Sequence, residues 1–345
     1  MKTIILLSTI LVWGVTIPLH AQTLYVDAIK GNDNGKGSLS DPVASLEKAV
    51  DMAKAFNHHE AITIKVFPGL YNLTRQLKIE PTGQYDTAKY SFEAMIMPDD
   101  TAWKPAKMPV IQSGLANNIH TFFDHSVGFE ILRDNISIKG LKFLGNANPM
   151  VDYYYPIERD STQLKNLEVS QCYFIGDRNS ATMQVGVYAQ GAGIHVDHCI
   201  FYGCKFGILL IYNLRDFSLT NSILYGVYGT AVWYGTANEP DAPFIFSDNV
   251  VANCTYFWAN TKAGDHPSYH FSNSLITGNL HYMAKFDDKG LSPFEGNDKH
   301  TETGVRRSGT VLLNEVTIKG IPRNYLHLAP SSDGKDIHAG IFKNE

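Results

Sequence analysis

Six copies of one eight-residue pattern, starting at residues 136, 167, 194, 217, 244 and 269, constrain this chain more than any other feature. Each copy reads apolar, any, apolar, two small or polar residues, two of any kind, apolar. Ile136-Ser-Ile-Lys-Gly-Leu-Lys-Phe143 and Ile194-His-Val-Asp-His-Cys-Ile-Phe201 are two examples. The alternation is that of a strand, and the polar pair reads as a turn. A second short segment follows, usually opened by glycine, as in Gly186-Val-Tyr-Ala, Gly207-Ile-Leu-Leu-Ile and Gly229-Thr-Ala-Val-Trp. A unit of 23 to 31 residues with about three short strands and little helix predicts one coil of a right-handed, single-stranded parallel β-helix, an all-β solenoid. An antiparallel sandwich would show Asn-Gly hairpin turns and no shared register between copies.

Stacked coils place equivalent residues about 4.8 Å apart. The pairs Ser170-Gln171, Asp197-His198, Thr220-Asn221, Ser247-Asp248 and Ser272-Asn273 are then expected to stack at one corner. Cys172 and Cys199 are expected to be buried on adjacent coils, with Leu141 and Ser222 continuing their row. The spacing of the cysteines Cys172, Cys199, Cys204 and Cys254 matches no zinc motif. His195 and His198 read as surface and ladder residues, and no metal site is expected.

A solenoid needs its first coil covered. Asp41-Pro42 predicts a helix start, and Leu46, Ala49, Val50, Ala53 and Phe56 follow at helical spacing, giving an N-terminal amphipathic capping helix. The expected layout is a capping region over 22–118, repeat coils over about 119–285, and a C-terminal strand and cap over 286–345. Together these make a single domain spanning 22–345.

The first 21 residues read as a signal peptide. Lys2 precedes an apolar run from Ile4 to Pro18, and Leu19-His20-Ala21 offers a cut before Gln22. The run is short for a bilayer span, no later one is long enough, and no cysteine follows it for lipid attachment. The expectation is a secreted or periplasmic monomer. Lys plus Arg number 29 against 34 Asp plus Glu, a net charge of -5, which argues against nucleic acid as a partner.

Four stretches then occur in order: Leu24-Tyr-Val-Asp27 with Gly31-Asn-Asp-Asn-Gly35, Asp41-Pro-Val-Ala-Ser-Leu46, Val66-Phe-Pro-Gly-Leu-Tyr71, and Met108-Pro-Val-Ile-Gln-Ser-Gly114. With Asn135-Ile-Ser-Ile-Lys-Gly140 and the closing Leu326-His-Leu-Ala-Pro-Ser-Ser332, they resemble secreted bacterial proteins of the pectate-lyase-like superfamily. That resemblance implies a carbohydrate-active protein, a polysaccharide lyase or glycoside hydrolase, with a polysaccharide or oligosaccharide as partner. The alternative is a non-catalytic glycan-binding or cell-surface β-helix protein. No cofactor is required, except that a lyase would call for calcium.

In the group resembled, substrate lies along the sheet of the glycine-opened strands. Alternation points Glu130, Tyr188, Gln190, Leu209, Ile211, Ala231 and Trp233 outward there, joined by Tyr256 and Trp258 or else Phe257. Trp233 and Trp258 are expected on one concave surface, with Tyr188 and Tyr154 as further substrate contacts. Loop charges supply the candidate catalytic groups. Arg215, Lys262 and His266 suit lyase chemistry, which must neutralise a carboxylate and move a proton. Glu239, Asp241 and Asp265 suit hydrolysis, which needs two carboxyls. Pro156-Ile-Glu-Arg-Asp160 is read as one more charged loop.

Overall fold

The structure, a computed structural model, describes residues 22–83, 86–237, 243–261, 268–294 and 300–344. The repeats wind into a parallel β-solenoid with three sheets of ten, nine and eight strands among the described residues. Each of eight full coils contributes one strand to each sheet, in chain order, while Gln22–Val26 and His300–Thr303 are added to the first sheet alone and Gly290–Pro293 to the third. Lys165–Ser170 belongs to the first sheet, Tyr173–Ile175 to the second and Val185–Ala189 to the third. Among these strands the pairings are parallel, except for a hairpin between His281–Asp287 and Gly290–Pro293.

Register follows from like residues stacking on like. Ile138, Val169, Val196, Leu219, Phe246 and Phe271 form one inward row. Phe143, Phe174 and Phe201 form another. Their rings lie parallel, with centroids 5.1 and 4.7 Å apart, which is the strand spacing expressed in side chains. Leu141, Cys172, Cys199 and Ser222 form the expected buried row, which Asn249 and Ser274 continue. The polar members satisfy the backbone at the bend. Ser222 Oγ accepts from Cys199 N at 3.0 Å, Asn249 Oδ1 from Ser222 N at 2.9 Å, and Ser274 Oγ from Asn249 N at 3.0 Å. The preceding corner residues Gln171, His198, Asn221, Asp248 and Asn273 all have positive φ, the left-handed conformation that Asn and Asp tolerate best. All four cysteines are free and buried.

The capping helix spans Leu46–Ala53 and starts later than the sequence suggests. Ser45 caps it, its side chain accepting from Lys48 N at 3.1 Å. Asp41 instead closes a small turn by accepting from Lys36 N, and Val43 pairs with Val26 as an extension of the first sheet. That extended pairing holds residues 41–43 out of the helix. Leu46, Ala49, Val50 and Ala53 join the interior beside Leu24, Leu77 and Ile79, so the helix covers the first coil.

After the strand His300–Thr303 the C-terminal stretch leaves the first sheet. Residues around Tyr325 to Pro330 form no strand of the solenoid. Instead the tail runs back over the outer face of the second sheet, where Leu326, Ile341 and Phe342 bury Tyr173, Ile200, Ile223 and Val250. Tyr173 donates to the Tyr325 carbonyl at 2.6 Å, and Gln171 to that of Ile341 at 2.9 Å. No described helix is long and apolar enough to cross a membrane.

Candidate functional site

The outer face of the third sheet carries the row Glu130, Glu158, Tyr188, Leu209, Trp233, Ala259, one residue per coil. Tyr188, Leu209 and Trp233 thus face outward together, as alternation predicts. Trp258 does not. It sits opposite Val232 and Met283 and is fully buried, its ring 6.1 Å from Tyr234 and 5.1 Å from Phe271. Phe257 beside it is buried in the same core, so two consecutive side chains turn inward and strict alternation fails at this bend. Ala231, also expected outside, lies in that core as well.

The other predicted residues separate. Trp233 is outward but only 7% exposed, because Phe286 of the terminal hairpin packs on it at 4.8 Å and Thr261 accepts from its Nε1. Tyr154 is fully buried and reaches no open surface. Arg215 begins a strand of the first sheet, opposite Ala192, and is not on the third-sheet face. Glu239, Asp241, Lys262, Asp265 and His266 lie outside the described residues.

Residues 154–159 form a strand rather than a loop, and that strand builds the site. Glu158 is carried on it, and Asp160 follows two residues later. In the coil before, the chain leaves the second sheet at Ser113 and makes an excursion before the third sheet begins at Ser126. Asn118 anchors that excursion by bracketing Val127, accepting from its N–H and donating to its carbonyl. Ile119 and His125 pair across the turn between them. The turn projects Phe122 and Phe123 over a cleft of about 600 Å³ whose floor holds Glu158, Tyr188 and Leu209.

His125 Nε2 lies 2.9 Å from Glu158 Oε2, with both side chains almost fully buried. His125 Nδ1 is 3.0 Å from the Phe123 carbonyl, which can only accept. Nδ1 therefore carries a hydrogen, and Nε2 and the carboxyl share one further proton. Burial raises the Glu158 pKa, and the nearby Asp160 and Glu130 charges add to the rise against the pull of His125. Burial alone would lower His125, but its bonds to Glu158 and the Phe123 carbonyl reverse that, and its pKa is raised. The pair thus holds its proton at a pH where a free carboxyl has lost it.

Asp160 is exposed. It accepts from the Tyr188 hydroxyl at 3.0 Å and from the Gln190 amide. Burial, with the Asp160 charge beside it, pushes the Tyr188 phenol up, so it stays a donor. Tyr155 stacks on Tyr188 at 5.5 Å and meets His125 edge-on at 5.0 Å. The cleft therefore has aromatic walls around two carboxyl groups. Arg159 between them turns away, donating to the Gln190 and Ala192 carbonyls of the next coil. Among the described residues no group of three or more His, Cys, Asp or Glu side chains is placed to hold a metal ion.

The sequence pointed to this face through Tyr188, Gln190, Leu209 and Glu130, but not to Glu158 as its centre. Tyr154-Tyr155-Pro156 broke the repeat pattern and read as loop. His125 sits on an excursion that matches no repeat, so no spacing could mark it.

No family model matches the sequence, and no curated protein matches it. Solved structures do. XylC, solved with xylose, aligns with a TM-score of 0.45 at 10% identity, over 84% of this chain and 70% of that one. The pectate lyase Pel9A gives 0.40 at 15%, over 84% and 78%. A rhamnogalacturonan lyase gives 0.36 at 10%, over 93% and 100%. The parallel β-solenoid itself rests on the strand pairing and register described above.

Proposed function

We propose that this protein is a carbohydrate-active enzyme that hydrolyses glycosidic bonds in the cleft beneath Phe122 and Phe123. The observation that carries this reading is the proton-holding Glu158–His125 pair, two residues from the exposed Asp160 and between tyrosine walls. A buried carboxyl that keeps its proton is suited to protonate a leaving glycosidic oxygen, and an exposed carboxylate is suited to activate water or attack the sugar. Glu158 and Asp160 both line the cleft, and hydrolysis of a glycosidic bond needs two such carboxyls. Tyr188 and Gln190 hold Asp160 in place, and the faces of Tyr155 and Tyr188 offer rings on which a sugar can stack. Lyase chemistry would need a cationic group against a uronic carboxylate, and the described lining of the cleft contains no Lys or Arg. We further propose that the chain is exported, on the Lys2 charge and the apolar run from Ile4 to Pro18 that precede Gln22.

The test is reducing-end release, followed beside unsaturated-product absorbance, on a panel of neutral and anionic polysaccharides. Reducing ends without unsaturated products, abolished by Glu158→Gln, support hydrolysis at this site. Activity unaffected by Glu158→Gln, or unsaturated products, would overturn it. Glycan binding with no turnover on any substrate would identify a binding protein instead.

A further inference from the structure

We propose that the cleft selects glycans that carry no carboxylate, and that Phe122 is a stacking platform at its rim for a neutral sugar. This rests on the reading of the cleft as a carbohydrate site and names its substrate class. The charged side chains of the described lining are those of Glu158, Asp160 and, when protonated, His125. While the His125–Glu158 pair keeps its proton, Asp160 leaves the cleft with one net negative charge. Loss of that proton makes it two. A uronic acid chain would bring one more negative charge per residue against Asp160, and against the buried, poorly screened Glu158 as well once the pair has lost its proton. Neutral sugar hydroxyls meet no such penalty, because they can donate to Asp160.

The rim supplies the second observation. Phe122 is 99% exposed, and its φ of 60° places a bulky aromatic residue in the left-handed region. A large apolar side chain gains nothing by standing in water, and a non-glycine residue pays conformationally for that φ. The surrounding turn nevertheless fixes it there: His125 N donates to the Ile119 carbonyl at 3.1 Å, and Phe123 packs on Tyr153 at 5.3 Å. Across the cleft, Tyr212 is 53% exposed and Ile211 half-buried, so an apolar face stands opposite. Strain and exposure combined at a cleft edge mark a position held for contact with something else. An uncharged pyranose, with an apolar face for the ring and hydroxyls for Asp160, suits both features.

The experiment uses calorimetric titration of the full mature chain carrying Glu158→Gln, so that bound sugars are not consumed. Neutral xylo- and galacto-oligosaccharides are compared with oligogalacturonides of equal length at low and high salt. The expected result is binding of a neutral series that barely changes with salt, with oligogalacturonide binding at least tenfold weaker. Adding Asp160→Asn should narrow that gap. Phe122→Ala should weaken neutral-sugar binding by about fivefold to tenfold and leave the melting temperature unmoved. Equal or tighter binding of oligogalacturonides would overturn the selectivity and leave hydrolysis at the cleft standing. Unchanged neutral-sugar affinity in Phe122→Ala would overturn the platform. Neutral-sugar binding without hydrolysis by the unmodified chain would remove the catalytic reading alone. Failure to bind any sugar of either kind would overturn both.

Discussion

His125 Nε2 and Glu158 Oε2 lie 2.9 Å apart at the floor of the cleft, brought together from positions 33 residues apart. Removing the histidine leaves a buried carboxyl without its partner. Because His125 holds the Glu158 pKa down, His125→Ala should raise it further. Two readouts follow. The alkaline limb of the kcat/KM profile should move to higher pH. The variant should also lose about 3 kcal/mol of stability at neutral pH and much less at pH 4, where the carboxyl is neutral in both states. Equal destabilisation at both pH values would mean that His125 only fills space.

The same pair fixes how stability responds to pH. Both folded-state pKa values lie above the ordinary 4.5 and 6.5. Each group therefore contributes stability that is complete below its unfolded value and is lost as pH rises through its folded value. Asp86 and Asp197 behave oppositely. Burial pushes each up, but Arg133 on Asp86, and His198, Asn221 and Thr220 on Asp197, outweigh it and hold both below 3.8. Their contribution is present above that value and is lost on acidification. Melting temperature should thus decline on both sides of a mildly acidic maximum. His125→Gln can keep an N–H donor on Glu158, unlike His125→Ala, but cannot titrate, so in it the decline above pH 6.5 should shrink while the acid limb stays. An unchanged alkaline limb in that variant would rule out the pair as its source.

The solenoid was legible because its information is local and repeated. Each copy carries its own strand pattern and turn, and the shared register of Cys172 with Cys199 follows from counting. The site was only half legible. Tyr188 and Leu209 repeat with their coils, so alternation placed them. Glu158 lies where Tyr154, Tyr155 and Pro156 mask the pattern, and His125 comes from a one-off excursion fixed by Asn118. Trp258 was misplaced because period-two reasoning assumes a straight strand, whereas Phe257 and Trp258 both turn inward. The helix start was misplaced because Asp41-Pro42 is a good local signal that the pairing of Val43 with Val26 overrides.

Asn249 tests the corner ladder. It is fully buried, accepts from Ser222 N and donates to the Leu219 carbonyl at 2.8 Å. Asn249→Ala leaves a buried N–H and a buried carbonyl unsatisfied, and should cost about 2–4 kcal/mol by equilibrium denaturation. Asn249→Ser can restore the acceptor, as Ser222 and Ser274 do in their own coils, and should recover part of the loss. No difference between Ala and Ser would mean that the ladder bonds are not what holds the bend.

The two tryptophans differ in what lies around them, and their alanine variants should differ accordingly. Trp258 is enclosed by Tyr234, Phe244, Tyr269 and Phe271, all contributed by the coil walls. Those walls are fixed by sheet register and cannot close over the void, so Trp258→Ala should cost about 3–5 kcal/mol. Trp233 is covered instead by Phe286, which is itself 41% exposed on a terminal hairpin. The hairpin can settle inward once the ring is gone, so Trp233→Ala should cost clearly less, about 1–3 kcal/mol. Phe286→Ala should uncover the Trp233 ring and shift its fluorescence to the red, with a smaller fall in melting temperature. If Trp233→Ala leaves the melting temperature unchanged and weakens glycan binding, the hairpin is a movable cover and the groove extends along the row from Leu209 to Ala259. If both variants unfold alike, Trp233 belongs to the structural core and the binding surface ends at the cleft around Glu158.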